Sequence, residues 1–254
     1  MRTIVCLFAA VAASAPAVAQ VSLFGVATYS NFGVQSLYSI DAGSGAATLV
    51  GSTGLRQIAG LDWDEVNNRL VALTVGGDRY SLSTSTGASS MLAEGGFGVP
   101  EGSLAMVEGT AFTTIFDELN AWNGSAWQSR GASGLAAGSD ISGLDVANGR
   151  LLGLALNGTG PDQLVAFDSA TGAASIIGLT GTNASTVAGL ATLGSRGYMT
   201  DGGSLYAIDT LTGGATLIGA HGVAGFSGLA IVPTPGSALI LAAAIGIGGR
   251  RRRV

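Results

Sequence analysis

The stretch LDWDEVNNR, from Leu61 to Arg69, gathers oxygen donors closely enough to suggest chemistry. Asp62, Asp64 and Asn67 offer the carboxylate and amide oxygens that a hard cation such as Ca2+ prefers. The same residues also suit a polar turn between two strands, with Asn67-Asn68 at its tip, and the spacing lacks the glycine and later glutamate of an EF-hand loop. Three further aspartates, Asp41, Asp168 and Asp209, each precede x-x-Ser/Thr-Gly. Together they can form a ring of ligands on one face, or each can accept the backbone N–H groups of its own turn. Trp122 and Trp127, in AWNGSAWQ, suit either a stacking platform for a sugar or the flanks of an Asn-Gly hairpin. The single histidine, His221, has no nucleophile motif beside it and reads as a surface-loop residue. The glycine-rich GVAGF and GGFGVP follow no strand–helix unit, so neither reads as a phosphate cradle. No catalytic residue and no cofactor site is expected, with calcium at Asp62, Asp64 and Asn67 as the one metal alternative.

What must position these residues is a repeat. LYSIDAGSGAATLVG begins at Leu37, LVAFDSATGAASIIG at Leu164 and LYAIDTLTGGATLIG at Leu205. Weaker copies, RYSLSTSTGASSMLA and LNAWNGSAWQSRG, begin at Arg79 and Leu119, so successive starts lie 42, 40, 45 and 41 residues apart. Each copy reads as a hairpin: period-2 alternation, a turn closed by glycine, and a returning strand. Two more strands precede each later hairpin, as in IAGLDWD and RLVALTV or ISGLDVA and RLLGLAL. Four short strands in about 42 residues is the size of a β-propeller blade.

The first copy has only three strands, and its missing Gly-Leu strand reappears at the far end as FSGLAIV, Phe226 to Val232. The expectation is therefore an all-β, five-bladed β-propeller of four-stranded blades over residues 21–232, closed by that C-terminal strand and leaving no sheet edge open. The recurring Gly-Leu marks the innermost strand, with Leu61, Leu144, Leu190 and Leu229 in equivalent core positions. The body resembles a family of secreted bacterial propellers with Leu-Tyr-x-Ile-Asp-x-x-Thr-Gly repeats, which implies the fold and no particular activity. The repeat is also similar to that of quinoprotein propellers, but their docking tryptophan is replaced here by Leu49, Ile176 and Leu217.

Both ends of the chain read as addresses. Residues 1–20 show a positive start at Arg2, an apolar run from Ile4 to Ala13 and the small-residue box Ala17-Val18-Ala19, the anatomy of a signal peptide and signal helix. The only cysteine, Cys6, lies within it, so the exported body has no disulfide and must bury a core. That body carries six arginines against sixteen acidic residues, a net charge of −10, which excludes a nucleic-acid partner.

The tail, residues 233–254, continues from Val232 through Pro233-Thr234-Pro235 into a run of 14 uncharged residues and the cluster Arg250, Arg251, Arg252 and Arg253. A short apolar helix over that run reaches about 21 Å, less than the ~30 Å hydrocarbon core. The tail resembles the PEP-CTERM sorting signal, with Thr234 where many members carry Glu. That resemblance implies export machinery and an exosortase-like processing enzyme as partners, transient membrane contact, and delivery to a bacterial outer surface or extracellular matrix. An ordinary membrane anchor is the alternative reading of the tail. The functional expectation is an exported, non-catalytic propeller binding polysaccharide or protein. Two alternatives stand beside it: a propeller hydrolase or lyase with its site in the central funnel, and a purely structural matrix protein.

Overall fold

The computed structural model describes residues 21–233 apart from 28–32, 97, 99–102, 137–138, 158–159 and 184–187. The expected signal helix, the apolar tail helix, Pro235 and Arg250 to Arg253 lie outside the described residues. Val232 and Pro233, where the expected sorting motif begins, are the last two residues of a strand.

Twenty strands and no helix are found among the described residues, and the strands form five antiparallel four-stranded sheets. Blade 1 joins β20 (Phe226–Pro233) to β1 (Val21–Ala27), β2 (Val34–Ile40) and β3 (Ala47–Arg56), in that order from the axis outwards. Blade 2 is β4 (Ile58–Asp64), β5 (Arg69–Thr74), β6 (Arg79–Leu82) and β7 (Ser89–Ala93). Blade 3 is β8 (Ala105–Val107), β9 (Thr110–Ile115), β10 (Glu118–Trp122) and β11 (Trp127–Ala132). Blade 4 is β12 (Ser139–Ala147), β13 (Arg150–Asn157), β14 (Gln163–Phe167) and β15 (Ala174–Leu179). Blade 5 is β16 (Leu190–Leu193), β17 (Arg196–Asp201), β18 (Ser204–Asp209) and β19 (Ala215–Ala220). The five-bladed ring, its four-stranded blades and its closure by the C-terminal strand agree with the sequence reading.

The inner strands meet at the axis through their Gly-Leu pairs. A Cβ on Gly60 would lie 2.7 Å from the Leu104 backbone nitrogen, and one on Gly228 2.5 Å from that of Leu61. Only glycine allows so close an approach. Leu61, Leu104, Leu144, Leu190 and Leu229 are all buried, and the space they ring at the axis holds no room for a water molecule. Between blades, alternate side chains of neighbouring sheets form apolar layers. Val26, Leu37, Leu61, Leu70 and Leu82, for example, pack blade 1 against blade 2.

At the periphery the expectation of no open edge needs correction. The outermost strands β3, β7, β11, β15 and β19 each pair on one side only. Ring closure joins blade to blade but leaves the outer rim of every blade unpaired. In all five blades the ladder between the third and fourth strands shifts register, as at Leu37/Tyr38 and Leu205/Tyr206. A bulge there twists the edge and breaks the flat hydrogen-bonding template on which other chains would pair.

Candidate functional site

Asp41, Asp168 and Asp209 stand at the start of the outer hairpin turns, and each is engaged by its own turn. Asp41 Oδ1 accepts the N–H groups of Gly43 and Ser44 at 3.1 and 2.7 Å and the Ser44 hydroxyl at 2.8 Å. These bonds hold its carboxyl below the usual aspartate value. Asp168 accepts from Ala170 and Thr171, and Asp209 from Leu211 and Thr212. In blade 3 Asn123 takes the same place and accepts from Ser125 and Ala126. The turn then docks on a strand glycine of the neighbouring blade: a Cβ on Gly178 in β15 would lie 2.0 Å from the Thr212 carbonyl oxygen of the β18–β19 turn. The aspartates shape turns that in turn hold blades together.

The calcium candidates Asp62, Asp64 and Asn67 are engaged in hydrogen bonds within the fold. Asp64 is fully buried; Oδ1 accepts the Asn67 N–H at 3.1 Å, and Oδ2 accepts the Asn67 amide at 2.8 Å and the Arg69 Nε–H at 3.1 Å. Asp62 serves the next blade instead: its Oδ2 accepts the Met106 N–H of β8 at 2.6 Å, and Oδ1 accepts its neighbour Trp63 N–H at 2.7 Å. A guanidinium and four N–H donors thus engage these carboxylates, and the Asp64–Asn67 contact is a turn frame.

Asp62 has a counterpart that the sequence reading did not single out. Asp145 in β12 follows Gly-Leu as Asp62 does, is 8 % exposed, and accepts N–H groups from Val146 and, on blade 5, Thr192. The two carboxylates thus bridge blade 2 to blade 3 and blade 4 to blade 5 at the same level of the axis. Burial pushes both upward, against the pull of the N–H donors. Asp62 rises well above the ordinary value, with the Asp145 charge adding to the effect, and Asp145 rises to about 7. The shared Gly-Leu-Asp of GLDWD and GLDVA was the available signal for the pair.

The aromatic pair is packed rather than presented. Trp122 and Trp127 face each other across β10 and β11 in a T-shaped contact, centroids 5.5 Å apart, and are 9 % and 8 % exposed. Trp127 Nε1–H donates to the Gly77 carbonyl of blade 2 at 3.0 Å, and the Arg79 guanidinium covers the Trp122 face at 4.2 Å. The pair fills the junction of blades 2 and 3, where the hairpin turn is two residues shorter than in the other blades. An open sugar platform is not what these rings form.

His221 is likewise not the surface residue expected. It is 3 % exposed, its ring lies 4.5 Å from that of Phe226, and Nδ1 accepts the Val223 N–H at 3.3 Å. Burial lowers its pKa, which favours the neutral ring. Its carbonyl accepts the Ala47 N–H of β3, joining blade 5 to blade 1.

No protein-family profile matches this chain, and neither does any curated protein. Among solved structures 644 chains are similar, one of them from the crystal structure of a nidogen/laminin complex. That match has a TM-score of 0.55 at 13 % identity and covers 84 % of this chain and 98 % of the other, a likeness that shows the propeller fold.

Proposed function

We propose that this chain is an exported, non-catalytic binding module: a propeller delivered to a bacterial surface or extracellular matrix, where it holds polysaccharide or protein. The observation that carries this reading is the closed axis. A propeller enzyme would place ionisable groups in an open central funnel, whereas here five leucines fill the axis without room for water. The two carboxylates nearest to it are tied to backbone N–H groups of adjacent blades. That leaves the rigid outer faces and turns as the surfaces for recognition. The similar chain from the nidogen/laminin structure supports the reading, since there a ring of this kind belongs to a protein complex.

Delivery rests on the two terminal segments. The signal-like residues 1–20 route the chain outwards, and the PEP-CTERM-like tail from Val232 holds it at the membrane until an exosortase-like enzyme cuts near Pro235. Intact mass of the protein from its host's envelope and medium tests this. A species from about residue 20 to about residue 235 is expected, and one that keeps Arg250 to Arg253 overturns the processing step.

The binding role is tested by immobilising the mature protein and passing over it the host's matrix, separated into polysaccharide and protein fractions. Saturable retention of one fraction is expected. Retention of neither moves the assignment to a structural matrix protein, and new reducing ends in the polysaccharide would move it to a hydrolase.

A further inference from the structure

Blade 2 departs from the repeat in its first turn. That turn, between β4 and β5, spans the four residues Glu65 to Asn68, whereas the corresponding turns of blades 3, 4 and 5 span two: Glu108-Gly109, Asn148-Gly149 and Gly194-Ser195. A longer turn is not needed to close a blade, as those three show. It is also rigidly built, because the buried Asp64 carboxylate holds both Asn67 and Arg69, and Asn68 adopts a φ of 51° to complete it. Beside it lies a groove of about 380 Å3, within the range of small-ligand sites and made entirely by blade 2.

The lining specifies a ligand class. Asn68, Arg69, Ser81, Ser83, Thr84 and Ser90 supply hydroxyls, an amide and a guanidinium, groups that together donate and accept hydrogen bonds in many directions. Trp63, Leu70 and Leu82 border it as well, with their side chains on the opposite sheet face in the layer against blade 1. The one charge in the lining, Arg69, is already balanced by Asp64 at 3.1 Å, so the groove as a whole is neutral. An anionic polymer would also approach a body of net charge −10. The cross-strand row Asp62, Val71, Ser81, Ser90 places the two groove serines on the sheet face that Val71 packs towards Trp122 and Trp127 of blade 3. Leu70 and Leu82, on the opposite face of the same strands, are buried against blade 1, so the core backs the groove floor.

From the long framed turn and the neutral, hydroxyl-rich groove beside it, we infer that blade 2 carries a binding site for a neutral oligosaccharide segment. This rests on the binding-module reading and makes it specific. The test is calorimetric titration of the purified protein with three neutral hexasaccharides: cellohexaose, maltohexaose and mannohexaose. At least one is expected to bind. Ser90→Trp, which fills the groove from an exposed position, is expected to weaken that binding at least tenfold with an unchanged melting temperature. Thr48→Trp, at the equivalent position of blade 1, is expected to leave it intact. If Ser90→Trp also lowers the melting temperature, Thr84→Trp on the exposed turn provides the same block. Binding that survives both groove variants overturns the site while leaving a carbohydrate-binding module. Binding of none of the three sugars overturns the inference, and leaves the module to be sought among protein partners.

Discussion

Asp145 shows how a single buried carboxylate ties stability to pH. In the unfolded chain it titrates near the ordinary aspartate value of about 3.9; in the propeller burial raises it to about 7. Below pH ~4 both states hold the proton and the group is neutral to stability. Between ~4 and about 7 the unfolded chain releases the proton while the folded one keeps it, so stability falls as pH rises. The effect amounts to at most about 4 kcal/mol by pH 7, and Asp62 acts in the same direction. Glu65, whose charge reaches both, strengthens it. His221 works the other way: its lowered pKa means that the unfolded chain takes up a proton first, and stability is lost as pH falls below ~6.5. Urea denaturation of wild type and Asp145→Asn separates the two. Relative to Asp145→Asn, wild type is expected to lose up to about 4 kcal/mol of stability as pH rises from 4 to 7; a difference that stays constant would mean that Asp145 does not titrate in this range. The same comparison for His221→Phe should show the acid-side loss disappear.

At the scale of strands and turns, the repeat's small residues have distinct roles that substitution can tell apart. Gly178 and Gly181 sit near each other in sequence, yet a Cβ on Gly178 would meet the Thr212 carbonyl oxygen at 2.0 Å, and one on Gly181 meets nothing within 4 Å. Gly178→Ala must push the turn of blade 5 away from β15 and is expected to cost about 3 kcal/mol. Gly181→Ala meets only the strain of φ +79° and is expected to cost about 1 kcal/mol. Thermal melts of the two variants check the ranking, and equal losses would show that the blade junction has slack. The hairpins themselves were legible in the sequence because Asp, Ser/Thr and Gly act within six residues of one another. Burial was not legible in the same way. Asp62 looked like a cation ligand because its acceptor role depends on Met106, 44 residues away, and the tryptophans looked available because Gly77 and Arg79 belong to another repeat. His221 read as a loop residue because only ring closure brings Phe226 against it.

For the molecule as a whole, the decisive contact is between its two ends. β20 supplies the inner strand of blade 1, so the sheet that begins at Val21 is completed only by the ring's final strand. Phe226 is fully buried, meets Tyr38 edge-on at 5.7 Å, and lies so close to β1 that a Cβ on Gly25 would be 2.9 Å from its ring. Ser227 donates to the Ile58 carbonyl at 2.8 Å, carrying the closure on into blade 2. Leu229 and Ile231 are buried in the same layer. Removing a strand with three such side chains forfeits about 1.5–3 kcal/mol for each, and also leaves Leu23 and Val26 facing water. Domains of this size are stable by only about 5–15 kcal/mol. A chain ending at Ala220 is therefore expected to be unfolded or aggregated, whereas one ending at Pro235 is expected to melt at the same temperature as the full chain. Circular dichroism on the two truncations decides it. A folded chain ending at Ala220 would mean that four blades and a three-stranded remnant suffice. The opposite result would fit the proposed processing: Val232, the last buried residue of the ring, lies before Pro235, so a cut there would leave the propeller's strands intact.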